Sequence, residues 1–480
     1  MPGKFSSYTK RLRANSAAIA FLALMAISGL VRLLAVLNFR VRASWDTDGY
    51  ILAARSIASL DFSNYDGKRT PIYPLLMLLA GMDWSVVRWV QSLLGIGIAS
   101  MLFAITLNRT RNAASAFVVG LLGSLALSEL LYEQIIYSET LCTFWIVLSL
   151  LAYARTRERE RAKNRDYALL GISAALAGMT RPMFLFLGPL YFCFVMDHAR
   201  PLRLRRFRDA RLMLVLAPTL VLALGWSAVN RRTLNYFGVT TTLGFNLSNH
   251  SGAFMELAPP QYAKIADIYL RYRARQISTM GSQAMTIWYA DGEIKRATGL
   301  STAELSKQLT RMSLEMFAEH PLLYLESVAK SWVRFWGFDF YHFIGFFKDS
   351  TSSTVYAMLM LFGSLQLGIN VVFLIIAAYS IAGWWRGRSG FDFDLGVIAI
   401  VLAGSVLQAF LEYGENVRYL APLVPLTIYT VVKFIWARRI ADHPGIAMNS
   451  GDIVSAEPST DPCLAKASAI RSNYGAVPRR

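Results

Sequence analysis

The chain has 480 residues, of which 55% are hydrophobic and only 17% carry a charged side chain. A soluble domain contains about 25% charged residues, so this composition excludes an ordinary water-soluble protein. The net charge of +18 would suit a nucleic-acid partner. Most of it lies in short loops between apolar segments, where membrane topology and anionic lipids account for it, and we expect no nucleic-acid partner.

Apolar runs of about 20 residues, bounded by charged loops, predict transmembrane helices. We expect ten such spans in chain order. The segment 70–82 is too short to cross a membrane and is predicted to be a re-entrant or interfacial helix. The predicted fold is therefore an all-α polytopic membrane protein, with spans at 16–37, 84–107, 113–131, 134–154, 167–180, 183–197, 212–229, 354–382, 394–412 and 418–437.

Lysine and arginine are concentrated in alternate loops, such as "RTRERERAKNRD" and "HARPLRLRRFRDAR". Short loops rich in these residues stay in the cytoplasm, which predicts a cytoplasmic N-terminus. No convincing small-residue cleavage site follows the first span, so it is predicted to be a retained anchor. The predicted first outer loop, 38–83, then faces outward, and the stretch 320–337 is predicted to be an interfacial helix. The predicted organisation is an N-terminal transmembrane module at 1–230, a large extracytoplasmic loop at 231–353, C-terminal transmembrane helices at 354–439, and a disordered cytoplasmic tail at 440–480.

The first outer loop contains two aspartates in the stretch "SWDTDGYILAARSI". Apolar residues recur at helical spacing from Tyr50 onward, so a short amphipathic helix is predicted to start near Gly49. Asp48 then serves as its N-cap, a role worth about 1 kcal/mol. Asp46 has no such structural role and becomes the candidate catalytic carboxylate, although an exposed loop aspartate is common and Asp48 stays a second candidate.

Other polar side chains cluster at the predicted outer ends of the spans. Charges near the membrane centre cost roughly 2.5–3.5 kcal/mol each, so they usually mark a pathway or a site. The large outer loop adds a polar stretch, "GFNLSNHSG". The candidates that these stretches supply are Lys68, Arg69, Tyr73, Glu139, Arg181, Asn246, His250, Arg418 and Tyr419.

Taken in order, these stretches resemble the C-type integral membrane glycosyltransferases, specifically the bacterial relatives of protein O-mannosyltransferases and lipid A aminoarabinose transferases. The resemblance rests on Asp46 and the following Tyr50, then on "RTPIYPLLMLL", "SETL", "TRP", "HPLLYL" and "RYLAPLVP". It covers roughly 16–260 and 320–425. The chain departs from the aminoarabinose transferases at Gly49, where they carry arginine, and at "GKRTP", where they carry an acidic residue.

The resemblance implies transfer of a sugar from a polyprenyl-phosphate carrier to a lipid, glycan or protein acceptor. It places the reaction on the outer face of a membrane, here expected to be a bacterial plasma membrane, and its key acid maps onto Asp46. A carboxylate suits removal of the acceptor proton, and arginine suits the leaving phosphate because it binds oxygens in bidentate fashion. The candidate phosphate-binding residues are Tyr50, Lys68, Arg69, Tyr73, Arg181, Arg418 and Tyr419.

Three further residues are expected to support this site. Glu139 is predicted to pair with Arg181 and fix its position, and Asn246 with His250 is a candidate sugar contact. The D-x-D pair of Asp46 and Asp48 makes a bound divalent cation possible. No cation is required, however, because arginines can stabilise the leaving phosphate.

Three alternatives stay open from the sequence. A polysaccharide ligase or polymerase would centre on a long outer loop with basic residues and histidine. A transporter or flippase of lipid-linked sugars would show symmetric halves with broken helices at the membrane centre, and no internal repeat is visible. A non-catalytic scaffold gives no reason for charges to gather near Asp46.

Overall fold

The computed structural model describes residues 2–39, 41–158, 162–198, 210–338 and 353–442. These residues form helices joined by turns, and one isolated β-bridge pairs Arg42 with Ile135. The predicted all-α polytopic fold is confirmed. The disordered tail predicted at 440–480 lies almost wholly outside the described residues. The membrane module begins with α1 (Pro2–Asn38), α2 (Thr47–Ser59), α3 (Ile72–Leu79), α4 (Trp84–Thr110), α5 (Ala113–Leu125), α6 (Leu127–Tyr132), α7 (Glu139–Thr156), α8 (Asn164–Thr180), α9 (Leu187–His198) and α10 (Ala210–Leu234).

The second half of the chain contains the last helices and the segment 231–338, which is called the outer segment because an extracytoplasmic position is predicted for it. The loop 38–83 is called the first outer loop for the same reason. Short 3₁₀ turns at Pro182–Phe186, Gly252–Leu257, Pro260–Tyr262 and Ala421–Leu423 interrupt the series. The remaining helices are α11 (Leu243–Ser251), α12 (Ala263–Met280), α13 (Thr286–Thr298), α14 (Thr302–Glu319), α15 (Pro321–Phe335), α16 (Ser353–Trp385), α17 (Phe393–Leu411), α18 (Asn416–Leu420) and α19 (Val424–Asp442).

Six helical segments among the described residues are long and apolar enough to cross a membrane. The other predicted spans correspond to shorter helices. One span prediction is wrong in detail, because 113–131 is not a single helix: α5 ends at Leu125 and α6 starts at Leu127. Helix α7 likewise starts only at Glu139, five residues after the predicted start of its span. The six segments are Asn15–Asn38, Trp84–Thr110, Ala210–Leu234, Tyr356–Trp385, Phe393–Leu411 and Asn416–Arg439.

The non-helical stretch 133–138 is held by a buried side chain that the sequence analysis did not single out. The Gln91 amide donates to the carbonyl oxygens of Glu133 at 2.9 Å and Ile135 at 2.8 Å. The Tyr73 hydroxyl donates to Gln91 Oε1 at 2.8 Å. Because buried backbone carbonyls need partners, Gln91 lets the chain leave the helix here and present Glu139 at the start of α7.

A buried ion pair ties α1 to the same stretch. Arg32 Nη2 donates to Glu133 Oε1 at 2.7 Å, and both side chains are almost fully buried. Arg32 Nη1 donates to the hydroxyls of Ser28 at 2.7 Å and Ser124 at 2.8 Å. Breaking a buried pair by removing one partner strands the other charge, so this contact locks α1 against α5 and the residues that follow α6.

The large outer segment packs its own core and rests on the first outer loop. Phe245, Tyr269 and Leu309 are fully buried within it. The Thr241 N–H donates to the carbonyl of Gly67 at 2.9 Å, and the Thr241 hydroxyl donates to the carbonyl of Asp66 at 2.9 Å. Gly67 has a φ of +77°, and a Cβ there would lie 2.5 Å from the Thr241 methyl group. This close approach needs glycine, and it makes the outer segment a wall facing the first outer loop.

Candidate active site

Helix α2 begins at Thr47, two residues earlier than predicted, so Asp48 lies in its first turn and is not its N-cap. The Thr47 hydroxyl accepts the N–H of Ser44 at 2.8 Å, which fixes this earlier start. Asp46 stands at the N-cap position, but its side chain makes no capping hydrogen bond. Apolar residues recur at helical spacing only from Tyr50 onward. The first turn of α2 is polar, so this spacing could not predict that the helix starts at Thr47.

Two arginines hold the Asp46 carboxylate. Arg69 Nη2 donates to Asp46 Oδ1 at 2.5 Å, and Arg418 Nη2 donates to Asp46 Oδ2 at 2.6 Å. Burial alone would raise the pKa of Asp46, but the charges of Arg418 and Arg69 outweigh burial and hold that pKa well below its usual range. Asp46 is therefore firmly ionised, and both of its oxygens are engaged.

A second carboxylate completes the charged cluster. Glu139 Oε1 accepts from Arg181 Nη1 and from Arg418 Nε, so the expected pairing of Glu139 with Arg181 is present. Arg418 Nη1 also donates to Glu415 Oε2 at 2.8 Å. All three nitrogens of Arg418 thus contact carboxylates, and Arg418 joins Asp46 and Glu139, which lie in two distant parts of the chain, to its own neighbour Glu415.

Each of the three guanidinium groups lies near a tyrosine ring. The guanidinium carbon lies 4.9 Å from the ring centre for Arg69 with Tyr50 and for Arg181 with Tyr419. Such contacts attract a cation to the face of the ring. The guanidinium carbon of Arg418 lies closest to its ring, 3.9 Å from the ring centre of Tyr137. Sequence reasoning missed Tyr137.

Sequence reasoning also missed Ser138, whose hydroxyl accepts that of Tyr50 at 2.9 Å. A signal was available for both missed residues, because Tyr137 and Ser138 immediately precede Glu139 in "YSETL". The hydrogen bond to Ser138 holds the Tyr50 ring beside the cluster.

The cluster opens into a cavity of about 890 Å³. The bundle contributes an apolar lining through the turn after α8 and the end of α17, whereas the first outer loop and the outer segment contribute mostly aromatic and polar residues. The apolar residues from the bundle are Pro182, Met183, Leu185, Phe186, Leu407 and Leu411, and the other two segments add Leu52, Val239, Leu243 and Met285. The aromatic and polar part includes Trp45, Asp48, Asp66, Lys68, Tyr236, Phe237, Asn246, Trp288, Tyr289 and Asp291.

Not every predicted site residue reaches this cavity. Nine of the predicted residues line the cavity, namely Asp46, Asp48, Tyr50, Lys68, Arg69, Arg181, Asn246, Arg418 and Tyr419. Tyr73 is fully buried and packs edge-on against Tyr50, with ring centres 4.6 Å apart. His250 is also buried; its Nδ1 lies 2.8 Å from the Ser327 hydroxyl, and burial lowers its pKa to about 4. Neither Tyr73 nor His250 is among the lining residues.

Lys68 pairs with carboxylates other than those that the arginines contact. Its Nζ lies 3.2 Å from Asp291 Oδ2 and 3.8 Å from Asp66 Oδ2. The same nitrogen lies 5.4 Å from the ring centre of Phe245 and 5.5 Å from that of Trp288. Lys68 therefore fastens the first outer loop to α13, and its charge is already balanced.

The D-x-D pair does not fit a divalent cation in this arrangement. Both Asp46 oxygens are held by guanidinium groups, as described above, and a cation at Asp46 would lie beside those positive charges. Among the described residues, no group of three or more His, Cys, Asp or Glu side chains is placed to hold a metal ion.

A family model for dolichyl-phosphate-mannose-protein mannosyltransferases matches residues 59–235. This confirms the resemblance predicted from the sequence for that segment, which contains Lys68, Arg69, Glu139 and Arg181 and leaves out Asp46 and Arg418. No protein of curated function matches the chain.

The solved structures that are similar to the chain at low identity include the following two. The archaeal oligosaccharyltransferase AglB from Archaeoglobus fulgidus, in complex with an inhibitory peptide and a dolichol-phosphate, has 13% identity and a TM-score of 0.44, covering 94% of this chain and 54% of its own. ArnT from Cupriavidus metallidurans bound to undecaprenyl phosphate has 13% identity and a TM-score of 0.36, covering 89% of this chain and 80% of its own. The chain spans about half the length of the archaeal enzyme. Similarity at this level does not transfer residue roles, so the assignments below rest on the contacts of this chain.

Proposed function

We propose that this protein transfers a sugar from a polyprenyl-phosphate carrier to an acceptor on the outer face of a bacterial plasma membrane. The observation that carries the proposal is the cavity beside Asp46, in which Arg69, Arg181 and Arg418 meet an apolar lining. A lipid phosphate combines an anionic head with an apolar chain, and this cavity offers a matching surface for each. The match to the protein mannosyltransferase family over 59–235 supports the same class of donor.

The apolar lining suits the carrier chain. Met183, Leu185 and Phe186 project from the turn that follows Arg181, and Leu407 and Leu411 project from α17. Burying apolar surface gains about 25 cal/mol per Å², so several isoprenoid units in contact with these side chains would contribute substantially to affinity. Since Arg181 directly precedes this turn, a chain lying there brings its phosphate toward the cluster.

The arginines divide into two roles. Arg69 and Arg181 each hold a carboxylate through one nitrogen, and Arg69 Nη1 and Arg181 Nη2 make no hydrogen bond to a described residue. These two arginines have donors left for phosphate oxygens. Arg418 contacts carboxylates through all three nitrogens, so it organises the cluster.

The sugar transfer then needs little rearrangement of the charged side chains. As the bond between the anomeric carbon and the carrier phosphate breaks, its electron pair passes to the phosphate oxygen. Arg69 and Arg181 stabilise that added charge from fixed positions. A carboxylate takes the acceptor proton, and the aromatic and polar side of the cavity, with Asn246, Trp288 and Tyr289, leaves room for the acceptor.

Transfer and donor binding test this function directly. Full-length protein in membrane vesicles of the source organism should move label from a radiolabelled undecaprenyl-phosphate sugar to a membrane acceptor, with release of undecaprenyl phosphate. Arg69→Ala and Arg181→Ala should each weaken binding of undecaprenyl phosphate by about tenfold, the loss of a charged hydrogen bond. Lysine should restore part of the affinity, because it lacks the two-pronged donor.

The matched control is Arg55→Ala, which removes an exposed arginine of α2 that does not line the cavity. Its affinity for undecaprenyl phosphate should equal that of the unaltered protein. Unchanged affinity in both the Arg69 and Arg181 variants would remove these residues from the donor site, and no transfer from any undecaprenyl-phosphate sugar tested would reject the function.

The proposed sidedness has its own test. A periplasmic reporter fused after Leu60 should be active, and one fused after Arg157 should be inactive, with a cytoplasmic reporter giving the opposite pattern. The reason is the excess of Lys and Arg in the loop after α7. Equal activity at both positions would mean that the charge-based topology is wrong and that the cavity does not open to the outside.

A further inference from the structure

We propose that Asp48 is the residue that takes the proton from the acceptor, while Asp46 positions the arginines. This inference rests on the proposed function. Six carboxyl groups line the cavity, at Asp46, Asp48, Asp66, Asp291, Glu412 and Glu415. Asp48 alone among the six has no hydrogen bond or ion pair to a described residue, so its oxygens are free to accept a proton.

The other lining carboxyl groups outside the Asp46 cluster are engaged in fastening elements together. Asp66 and Asp291 both pair with Lys68, and Asp291 also pairs with Lys295 at 3.1 Å. Glu412 Oε1 accepts the Asn249 amide at 2.8 Å. These contacts join the outer segment to the first outer loop and to the turn between α17 and α18, so a reaction that displaced them would loosen the cavity wall.

Asp46 is a poor proton acceptor for a physical reason. A general base works best when its pKa lies near the working pH, and the two arginines hold the pKa of Asp46 far below that range. Protonating Asp46 would also break its contact with Arg69 or Arg418. These two contacts hold the guanidinium groups of Arg69 and Arg418 beside the phosphate site. Asp46 therefore strengthens donor binding by positioning these groups.

Asp48 lies close to the same cluster along the chain but outside its ion pairs. It is exposed in the first turn of α2, two residues after Asp46. Gly49 follows it, and a Cβ at Gly49 would lie only 3.0 Å from Arg69 Nε. The missing side chain therefore lets Arg69 lie against the same turn that carries Asp48, which places the phosphate site and the free carboxylate next to one another.

The step balances with the groups present. The acceptor hydroxyl gives its proton to Asp48 as its oxygen forms a bond to the anomeric carbon. The bond from that carbon to the carrier phosphate breaks, and the electron pair leaves with the phosphate. The products are the glycoside and polyprenyl phosphate, and Asp48 afterwards releases its proton to water in the open cavity.

The test compares Asp48→Asn with Asp46→Asn in full-length protein. Asp48→Asn should lower the transfer rate by roughly 10²-fold or more, the usual contribution of a general base, while binding of undecaprenyl phosphate stays within twofold of the unaltered protein. Asp48→Glu should recover part of the rate. Asp46→Asn should weaken binding of undecaprenyl phosphate, because it removes the anchor of Arg69 and Arg418.

The control is Asp61→Asn, which changes an exposed aspartate of the same outer loop that does not line the cavity and should leave both readouts unchanged. Full transfer by Asp48→Asn would overturn the assignment, as would a loss of phosphate binding equal to that of Asp46→Asn. If the unaltered protein transfers sugar and Asp48→Asn does too, only this inference fails. If the unaltered protein transfers none, the proposed function fails and the inference with it.

Discussion

Arg418→Ala is expected to abolish transfer and to weaken binding of undecaprenyl phosphate by about 10²-fold or more, because each charged hydrogen bond that the cluster loses costs roughly 1.5–3 kcal/mol. Arg418 contacts Asp46, Glu139 and Glu415 at once. Its removal leaves Glu139 with Arg181 alone and Asp46 with Arg69 alone. Carboxylates would then compete with the donor phosphate for the remaining two arginines.

Arg418→Lys should recover folding better than binding, since one ammonium group replaces three separate nitrogen donors. Thermal unfolding in detergent and binding of undecaprenyl phosphate measure the two effects separately. Arg386→Ala removes an exposed arginine after α16 and serves as the control for loss of one positive charge. Normal donor binding by Arg418→Ala would show that the cluster assembles without its central residue.

Glu133→Ala is expected to destabilise the protein by about 3–5 kcal/mol, the cost of leaving a buried charge unpaired. Arg32 would lose its only carboxylate partner among the described residues and would keep the hydroxyls of Ser28 and Ser124. Accumulation in the membrane and resistance to thermal unfolding should both fall steeply. Glu133 does not line the cavity. Any protein that does insert into the membrane should therefore lose affinity for undecaprenyl phosphate only if the stretch 133–138 becomes disordered.

The double variant Arg32→Leu with Glu133→Leu separates charge from packing. Because apolar replacement of a buried pair is often neutral or stabilising, the double variant should be more stable than Glu133→Ala. If the double variant is equally unstable, the loss comes from the tight space around Gly95, where a Cβ would lie 2.0 Å from Glu133 Oε1, and not from the stranded charge.

The site also shows how charged residues can persist in an apolar chain. Every ionised side chain in the Asp46 cluster has at least one partner of opposite sign, and the three guanidinium groups rest near tyrosine rings. Such a network offsets the cost of burial. It also keeps donors aimed into the cavity before any ligand arrives, which is the arrangement that favours binding of an anion.

The sequence by itself determined the class of the protein and the identity of most cluster residues. Apolar runs and flanking charges are local properties, so they predicted a polytopic helical fold and placed Arg69, Glu139, Arg181 and Arg418 near the ends of membrane segments. The family match over 59–235 also depends on the sequence alone, because a family model compares residue types in their order along the chain.

Only the tertiary structure decided which of these residues meet. Asp46 and Arg418 are 372 residues apart, and no local pattern specifies that contact. The break after α5, the engagement of Lys68 by Asp291 and the burial of Tyr73 and His250 also depend on neighbours far away in sequence. Propensity and periodicity describe one segment at a time, whereas the free carboxylate of Asp48 and the engaged one of Asp46 differ only through the partners that packing brings to them.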